Sequence, residues 1–273
     1  MKPVRFRYER PSQVADVVEL LADNEDAKVI AGGQSLVPLL NLRLARPSVL
    51  VDIGSIPGMK QIEARPDEVR IGAGTTEQAI LAFAAKDPAL PGLIPAAVSR
   101  IGHFQIRSRG TAGGSLCHLD PSAEWPALVL TLDATMVAFG PRGERLIPAA
   151  EFIVGPLWSA LELDEVLLEI RLPRASSGWG FAEVERRDGD FALVGAMANR
   201  VGGSWTVVAF ATGGMPQRLT ATEAALASGM DPSRAEDVAR EELEVASDIH
   251  ASADYRRAVG AKLTRKVIDQ ACA

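Results

Sequence analysis

The sequence predicts an α+β protein in two lobes, and three observations carry that reading. Residues 1–55 alternate helical patterns with short apolar runs, as a β-α-β unit does. Residues 56–173 mix strand-like alternation with apolar helical stretches. Beyond a short polar stretch at 174–178, three strand patterns run in succession and three helical patterns follow, which suits an antiparallel sheet covered by helices.

Ser12 stands where it would cap a helix whose Val14, Val17, Val18 and Leu21 share one buried face. Val29 and Ile30 make a short strand that runs into the pair Gly32 and Gly33. Pro38 lies inside the first turn of the apolar segment 36–44, where a missing N–H does no harm. Residues 49–53 form a fully apolar strand apart from Asp52, and 68–74 alternate like a half-buried one. Thr75 or Thr76 caps the helix that continues through Phe83. Residues 91–101 are helical, and 102–109 lead into a second glycine pair. Pro121 or Ser122 starts the apolar helix 123–132. Strands at 135–139 and 145–147 flank the turn 140–143 as a hairpin, and the strand 165–172 is closed by Pro173. The flexible stretch 174–178 divides a first domain, 1–173 (parts 1–55 and 56–173), from a second, 178–273. In the second, 180–187, 192–201 and 204–212 make a three-stranded meander turned by Gly202 and Gly203. Helices at 220–227, 232–246 and 253–271 complete it.

Bulk properties remove several classes of function. A net charge of −6 gives no basic footprint for nucleic acid. No apolar run approaches the roughly 20 residues of a membrane span. The first eight residues carry charges where a signal peptide needs its apolar region, so the expected compartment is the cytoplasm. Two distant cysteines, Cys117 and Cys272, cannot hold a four-thiolate cluster. His103, His118 and His250 lack metal-ligand spacing. Redox chemistry on this chain therefore needs an organic cofactor.

The stretch 31–35 (Ala-Gly-Gly-Gln-Ser) is echoed by 112–115 (Ala-Gly-Gly-Ser), each setting a serine just after a glycine pair. Such turns bring bare backbone close to a ligand, and their N–H groups form a nest for an anion. Together they read as the two sides of one dinucleotide diphosphate site. Gly72 and Gly74 invite a dinucleotide-fingerprint reading, but Glu77 occupies the third glycine position; the better reading is a strand end packed beneath a neighbour. His118 and Asp120, one residue apart, are poorly placed for an acid–base pair. Cys117 reads as a small buried residue, and Trp125, Trp158, Trp179 and Trp205 as packing residues. Arg186, Arg187, Arg256 and Arg257 read as solvated surface, some available to dock partners.

At these turns the sequence resembles the FAD-binding medium subunit of the molybdenum hydroxylases, the family of carbon monoxide, xanthine and N-heterocycle dehydrogenases. The resemblance runs through residues 31–35, Arg43 to Pro47, 51–53, 71–76, 105–107, 109–115, Asp120 with Pro121, 186–195 and 253–257. It implies a vanillyl-alcohol-oxidase-type FAD-binding domain of two α/β parts, followed by a C-terminal flavoprotein lobe. It places the FAD diphosphate on Val29, Ile30, Ala31, Gly32, Gly33, Gln34, Ser35 and Leu36, and on Thr111, Ala112, Gly113, Gly114 and Ser115. By the same resemblance Glu124 meets the sugar-alcohol part, Ile101 and Leu167 line the cofactor, and Asp190 lies in a loop, 188–190, near the flavin ring. Gln34 stands where some flavoproteins carry a flavin-linked histidine, so the FAD is non-covalent.

The activity implied is electron transfer within a multi-subunit oxidoreductase. A large subunit would hold the molybdenum cofactor and a small one two [2Fe-2S] clusters, assembled as a dimer of heterotrimers. This chain would pass electrons from the clusters to an external acceptor, with no catalytic acid or base of its own. The rivals are a self-sufficient FAD-dependent oxidase of a small organic substrate and a non-enzymatic nucleotide-binding module.

Overall fold

The computed structural model describes residues 1–87 and 90–273. The chain begins with β1 (Arg7–Glu9), α1 (Val14–Ala22), β2 (Lys28–Ile30), α2 (Leu36–Asn41) and β3 (Val49–Asp52). These strands form a parallel sheet in the order β1-β3-β2. Helix α1 buries Val17, Val18 and Leu21, as its spacing requires. Its N-cap is Gln13 and no side chain caps it, so the expected Ser12 cap is not made.

Next come β4 (Ile62–Ala64), β5 (Glu68–Gly72), α3 (Glu77–Ala84), α4 (Leu93–Val98), α5 (Phe104–Arg107), α6 (Ala112–His118) and α7 (Glu124–Thr131). They are followed by β6 (Thr135–Gly140), β7 (Gly143–Pro148), α8 (Ala149–Phe152), β8 (Ile153–Gly155), β9 (Trp158–Ser159) and β10 (Val166–Pro173). An antiparallel sheet orders them β4-β5-β10-β6-β7, with β6 and β7 as the expected hairpin. Thr76 is the cap of α3, its hydroxyl accepting from Ala79 N at 3.2 Å. Gly72 and Gly74 press against the Met59 backbone, where a methyl on Gly72 would come within 2.6 Å. They are packing glycines beneath a neighbour, not a nucleotide loop.

The last part holds β11 (Gly178–Glu185), β12 (Ala192–Val201), β13 (Ser204–Phe210), β14 (Gln217–Arg218), α9 (Thr220–Ala227), α10 (Ala235–Glu242) and α11 (Ala253–Cys272). The expected three-stranded meander gains a fourth strand, since the short β14 pairs with β13. Gly202, at φ +58°, turns the β12–β13 hairpin. One face of this sheet packs Ala196, Ala198 and Val207 under α9–α11. The opposite face contributes Met197, Val208 and Phe210 to the core of the preceding residues. Covered on both sides, β12 reads as a nearly unbroken apolar run.

Two further expectations change. Arg256 is a core residue, 2% exposed, donating to the carbonyls of Leu193 and Ala246 and paired with Asp248 at 2.7 Å. Arg257 is half-buried and donates to the carbonyls of Arg240 and Leu243 at the end of α10, whereas Arg186 and Arg187 are exposed, as expected, with Arg186 reaching the His250 carbonyl. The Arg240 and Leu243 carbonyls are open to Arg257 because a helix end leaves its last carbonyls unsatisfied. Cys117 is exposed on α6 rather than buried. Trp125 is fully buried, Trp179 covers Gly92, Trp205 carries Arg200 over its ring at 5.5 Å, and Trp158 is exposed.

Candidate cofactor site

The first glycine turn follows β2 directly. Gly33 has φ +74°, a left-handed conformation that a residue with a Cβ adopts only under strain. The Gln34 side-chain amide folds back onto the Gly32 carbonyl at 3.1 Å. Helix α2 begins here, Val37 N bonding to the Gly33 carbonyl at 3.0 Å. Among the described residues, the amides of Gly32, Gly33, Gln34, Ser35 and Leu36 have no acceptor within hydrogen-bond distance. Five consecutive unpaired donors on one turn leave it able to receive an anion's oxygens.

The second turn is built differently. Thr111 caps α6 by accepting the Gly114 amide at 3.1 Å. Ala112 N bonds to the Thr75 carbonyl, Gly113 N to that of Ala73 at 2.9 Å, and Ser115 N to that of Thr111 at 3.0 Å. Four of the five amides expected to face a phosphate here, those of Ala112 to Ser115, are thus already satisfied inside the protein. Thr111, Ala112 and Gly113 are buried, and a methyl on Gly113 would lie 2.5 Å from Ala73 Cβ. The surface of this turn is Gly114, which is exposed, and Ser115, which is half-buried. Its contribution is a hydroxyl, the α6 dipole and room, not a second nest of amides.

The two turns meet. A methyl on Gly32 would collide with the Arg109 carbonyl and come within 3.0 Å of Gly110 Cα. One on Gly114 would stand 3.9 Å from Ala31 Cβ. Residues about eighty positions apart therefore lie side by side.

The remaining site residues fall around it unevenly. Val29, Ile30, Ala31 and Leu36 are half-buried about the first turn, and Ile101 is half-buried against the core. Leu167 is enclosed in the core at 2% exposure. Glu124 opens α7 and is 4% exposed; burial, with Glu183 and Glu77 nearby, holds its carboxyl well above the usual range. Asp190 is exposed in its loop. Asp120 Oδ1 accepts the Ser122 amide at 2.9 Å, which fixes the approach to α7.

Several polar groups went unread in the sequence. Burial pushes the Glu77 carboxyl up to about 8, and its Oε2 has no partner. Buried Arg107 Nε, Trp125 Nε1 and Glu183 Oε2 are also unpartnered. Buried polar atoms without partners are uncommon, and Asn199 Oδ1 and Arg200 Nε on β12 are two more. No spacing rule links positions 77, 107, 125 and 183; the one local signal was the alternation of Glu183 with Glu185 along β11.

Two family models match the chain: the FAD binding domain in molybdopterin dehydrogenase over residues 4–175, and the CO dehydrogenase flavoprotein C-terminal domain over 179–271. The nicotine 6-hydroxylase medium subunit of Paenarthrobacter nicotinovorans is 39% identical over 99% of both chains. Caffeine dehydrogenase subunit beta of a Pseudomonas species is 36% identical, over 99% of this chain and 96% of its own. Among solved structures, a chain of carbon monoxide dehydrogenase from Hydrogenophaga pseudoflava superposes with TM-score 0.91 at 33% identity, covering 100% of this chain and 99% of its own. A chain of quinoline 2-oxidoreductase from Pseudomonas putida 86 does so with TM-score 0.91 at 35% identity, covering 99% and 98%.

Proposed function

This chain belongs to the family of FAD-binding flavoprotein subunits of molybdopterin dehydrogenases, and from that premise we propose how it works. It is the FAD-carrying medium subunit of a multi-subunit molybdenum hydroxylase, an oxidoreductase. The observation that carries the site assignment is the contact between the two glycine turns, with five open amides on one wall. An FAD diphosphate fits that cleft: it brings the acceptors that residues 32–36 lack, and the exposed Gly114 leaves it space.

The residues divide the work. The amides from Gly32 to Leu36 hold the diphosphate on one side, and Ser35 and Ser115 add hydroxyls. Thr111 acts indirectly by capping α6, and Gly113 by packing α6 against Ala73. Glu124 meets the sugar-alcohol chain through its carboxyl. Ile101 and the loop bearing Asp190 flank the ring. Bound FAD supplies two-electron redox chemistry that can be loaded one electron at a time. The chain's own task is to bind, orient and shield it, and no side chain needs to act as an acid or base. The FAD-binding domain spans 1–173 and the C-terminal domain 178–273.

The partners are a large subunit with the molybdenum cofactor and a small subunit with [2Fe-2S] clusters, in a dimer of heterotrimers in the cytoplasm. Electrons run from the clusters through this FAD to an external acceptor. Among the described residues, no helix is long and apolar enough to cross a membrane. Purification from the native host tests this reading. Non-covalent FAD at one per chain, with molybdenum- and iron-bearing chains co-eluting, is the expected result. A colourless chain, or one that oxidises an organic substrate alone, would contradict it.

A further inference from the structure

The segment 73–77, from the end of β5 into α3, lies along the second glycine turn and carries it. Gly113 N bonds to the Ala73 carbonyl at 2.9 Å, Ala112 N to that of Thr75 at 3.2 Å, and Glu77 N to that of Gly110 at 3.0 Å. Thr76 and Thr111 form an antiparallel bridge in the same ladder. The Glu77 side chain is enclosed, at 3% exposure. A methyl on Gly110 would lie 2.5 Å from Glu77 Oε2, and a methyl on Gly32 would lie 3.0 Å from Gly110 Cα. Glu77 and the first turn therefore press on the same bare residue, and that one residue separates the carboxyl from the turn with the open amides.

Stability alone does not favour a carboxyl here. Its Oε2 has no partner, and an oxygen buried unpaired costs free energy. An acidic residue in the first turn of a helix usually serves the helix dipole as an anion. At Glu77 burial outweighs both that and the opposing charge of Arg107, and the carboxyl is pushed up to about 8. The charged groups coupled to it are Arg107 of α5 and Glu124 at the start of α7, whose own carboxyl Glu77 helps to raise. Helix α4, which packs on α3, adds Leu93, Ile94, Ala97 and Val98, none of them ionisable. At neutral pH the side chain thus sits behind Gly110 uncharged, where an anion on the first turn would meet a negative group through a poorly screened interior.

We propose that Glu77 is a positioning residue for the cofactor: its side chain props Gly110 against Gly32, and a negative charge at that point opposes the diphosphate. This rests on the flavoprotein reading above. It makes FAD binding and proton binding cooperative, so the chain holds FAD more weakly as pH rises through the Glu77 range.

The test is FAD titration of the full chain at pH 6 and pH 9, at one ionic strength, as parent, Glu77→Gln and Glu77→Ala. At pH 9 only about a tenth of parent chains keep the Glu77 proton, so parent affinity falls about tenfold from its value at pH 6. Glu77→Gln keeps the shape without the charge, and binds within about threefold of the parent's pH 6 affinity at both pH values. Glu77→Ala removes the prop as well, and binds at least about tenfold more weakly than Glu77→Gln at both. A parent affinity that does not change with pH, or a Glu77→Gln that keeps the parent's pH slope, would overturn the role of the charge. Glu77→Ala matching Glu77→Gln would overturn the prop. A parent chain that takes up no FAD at either pH would instead overturn the reading beneath. If the variants do not fold, binding calorimetry of the parent at pH 8.5 in two buffers of different ionisation enthalpy replaces them. Proton uptake with FAD is then the expected result, and its absence would overturn the proposal.

Discussion

Replacing Gly114 with alanine separates cofactor binding from folding, because the added methyl points into the cleft rather than into the protein. Its Cβ would lie 2.8 Å from Thr111 Oγ1 and 3.9 Å from Ala31 Cβ, with nothing else within 4 Å. Glycine to alanine in a helix gains up to about 1 kcal/mol, and disturbing the Thr111 cap costs about 1 kcal/mol. The two nearly cancel, so the FAD-free variant should melt within about 4 °C of the parent. FAD affinity should fall at least about tenfold, about 1.4 kcal/mol, because the methyl occupies the approach between the turns. Gly113→Ala is the counterpart. There the Cβ would meet Ala73 Cβ at 2.5 Å and the Ala73 carbonyl oxygen at 2.7 Å, overpacking the interior by about 1–3 kcal/mol. That variant should lose stability before it loses affinity. Calorimetry of the FAD-free proteins and flavin-fluorescence titration measure the two quantities. Gly114→Ala with parental melting and parental FAD affinity would refute the placement of the diphosphate at this wall.

Gly33→Ala should release FAD, since φ +74° disfavours a Cβ by about 1–2 kcal/mol and relaxation turns the neighbouring amides away. Gly58→Ala, strained at φ +85° with nothing within 4 Å, should cost similar stability yet keep FAD in the same equilibrium-dialysis assay. Glu77 is raised in the folded state to about 8 from 4.5, so the folded chain retains a proton that the unfolded chain releases, and stability falls as pH rises between those values. Glu77→Gln should therefore flatten urea-denaturation stability between pH 5 and 8 and stabilise FAD-free protein at pH 8 by about 2–4 kcal/mol; parallel pH curves would contradict this. Arg256→Met, which strips the donors from Leu193, Ala246 and Asp248, should destabilise by about 2–4 kcal/mol in urea; a loss below about 0.5 would show the buried network to be neutral.

Much of the architecture was legible because its signals are local. The spacing of Val14, Val17, Val18 and Leu21, the Gly140–Gly143 turn and the Gly202 hairpin each fix their element from a few neighbouring residues. The Ser12 cap failed for an equally local reason, the helix starting one residue later than a serine cap allows. Strand β14 was missed because two residues carry no periodicity. In the site, paired glycines announced the turns but not their chemistry. The second turn reads as a nest, yet Ala73, Thr75 and Thr111 lie against it and consume its amides. Glu183 was silent for the same cause: a buried charge is defined by what folds against it, and one-dimensional spacing does not record that. Arg256 shows the reverse error, a run of arginines read as surface although a helix buries one face in four.

A crystal structure of the FAD-loaded chain most directly tests the shared seat of the diphosphate. The expected result is phosphate oxygens within hydrogen-bond reach of the Gly32–Leu36 amides on one side and the Ser115 hydroxyl on the other. A diphosphate touching a single turn, or lying outside the cleft between Ala31 and Gly114, would contradict it.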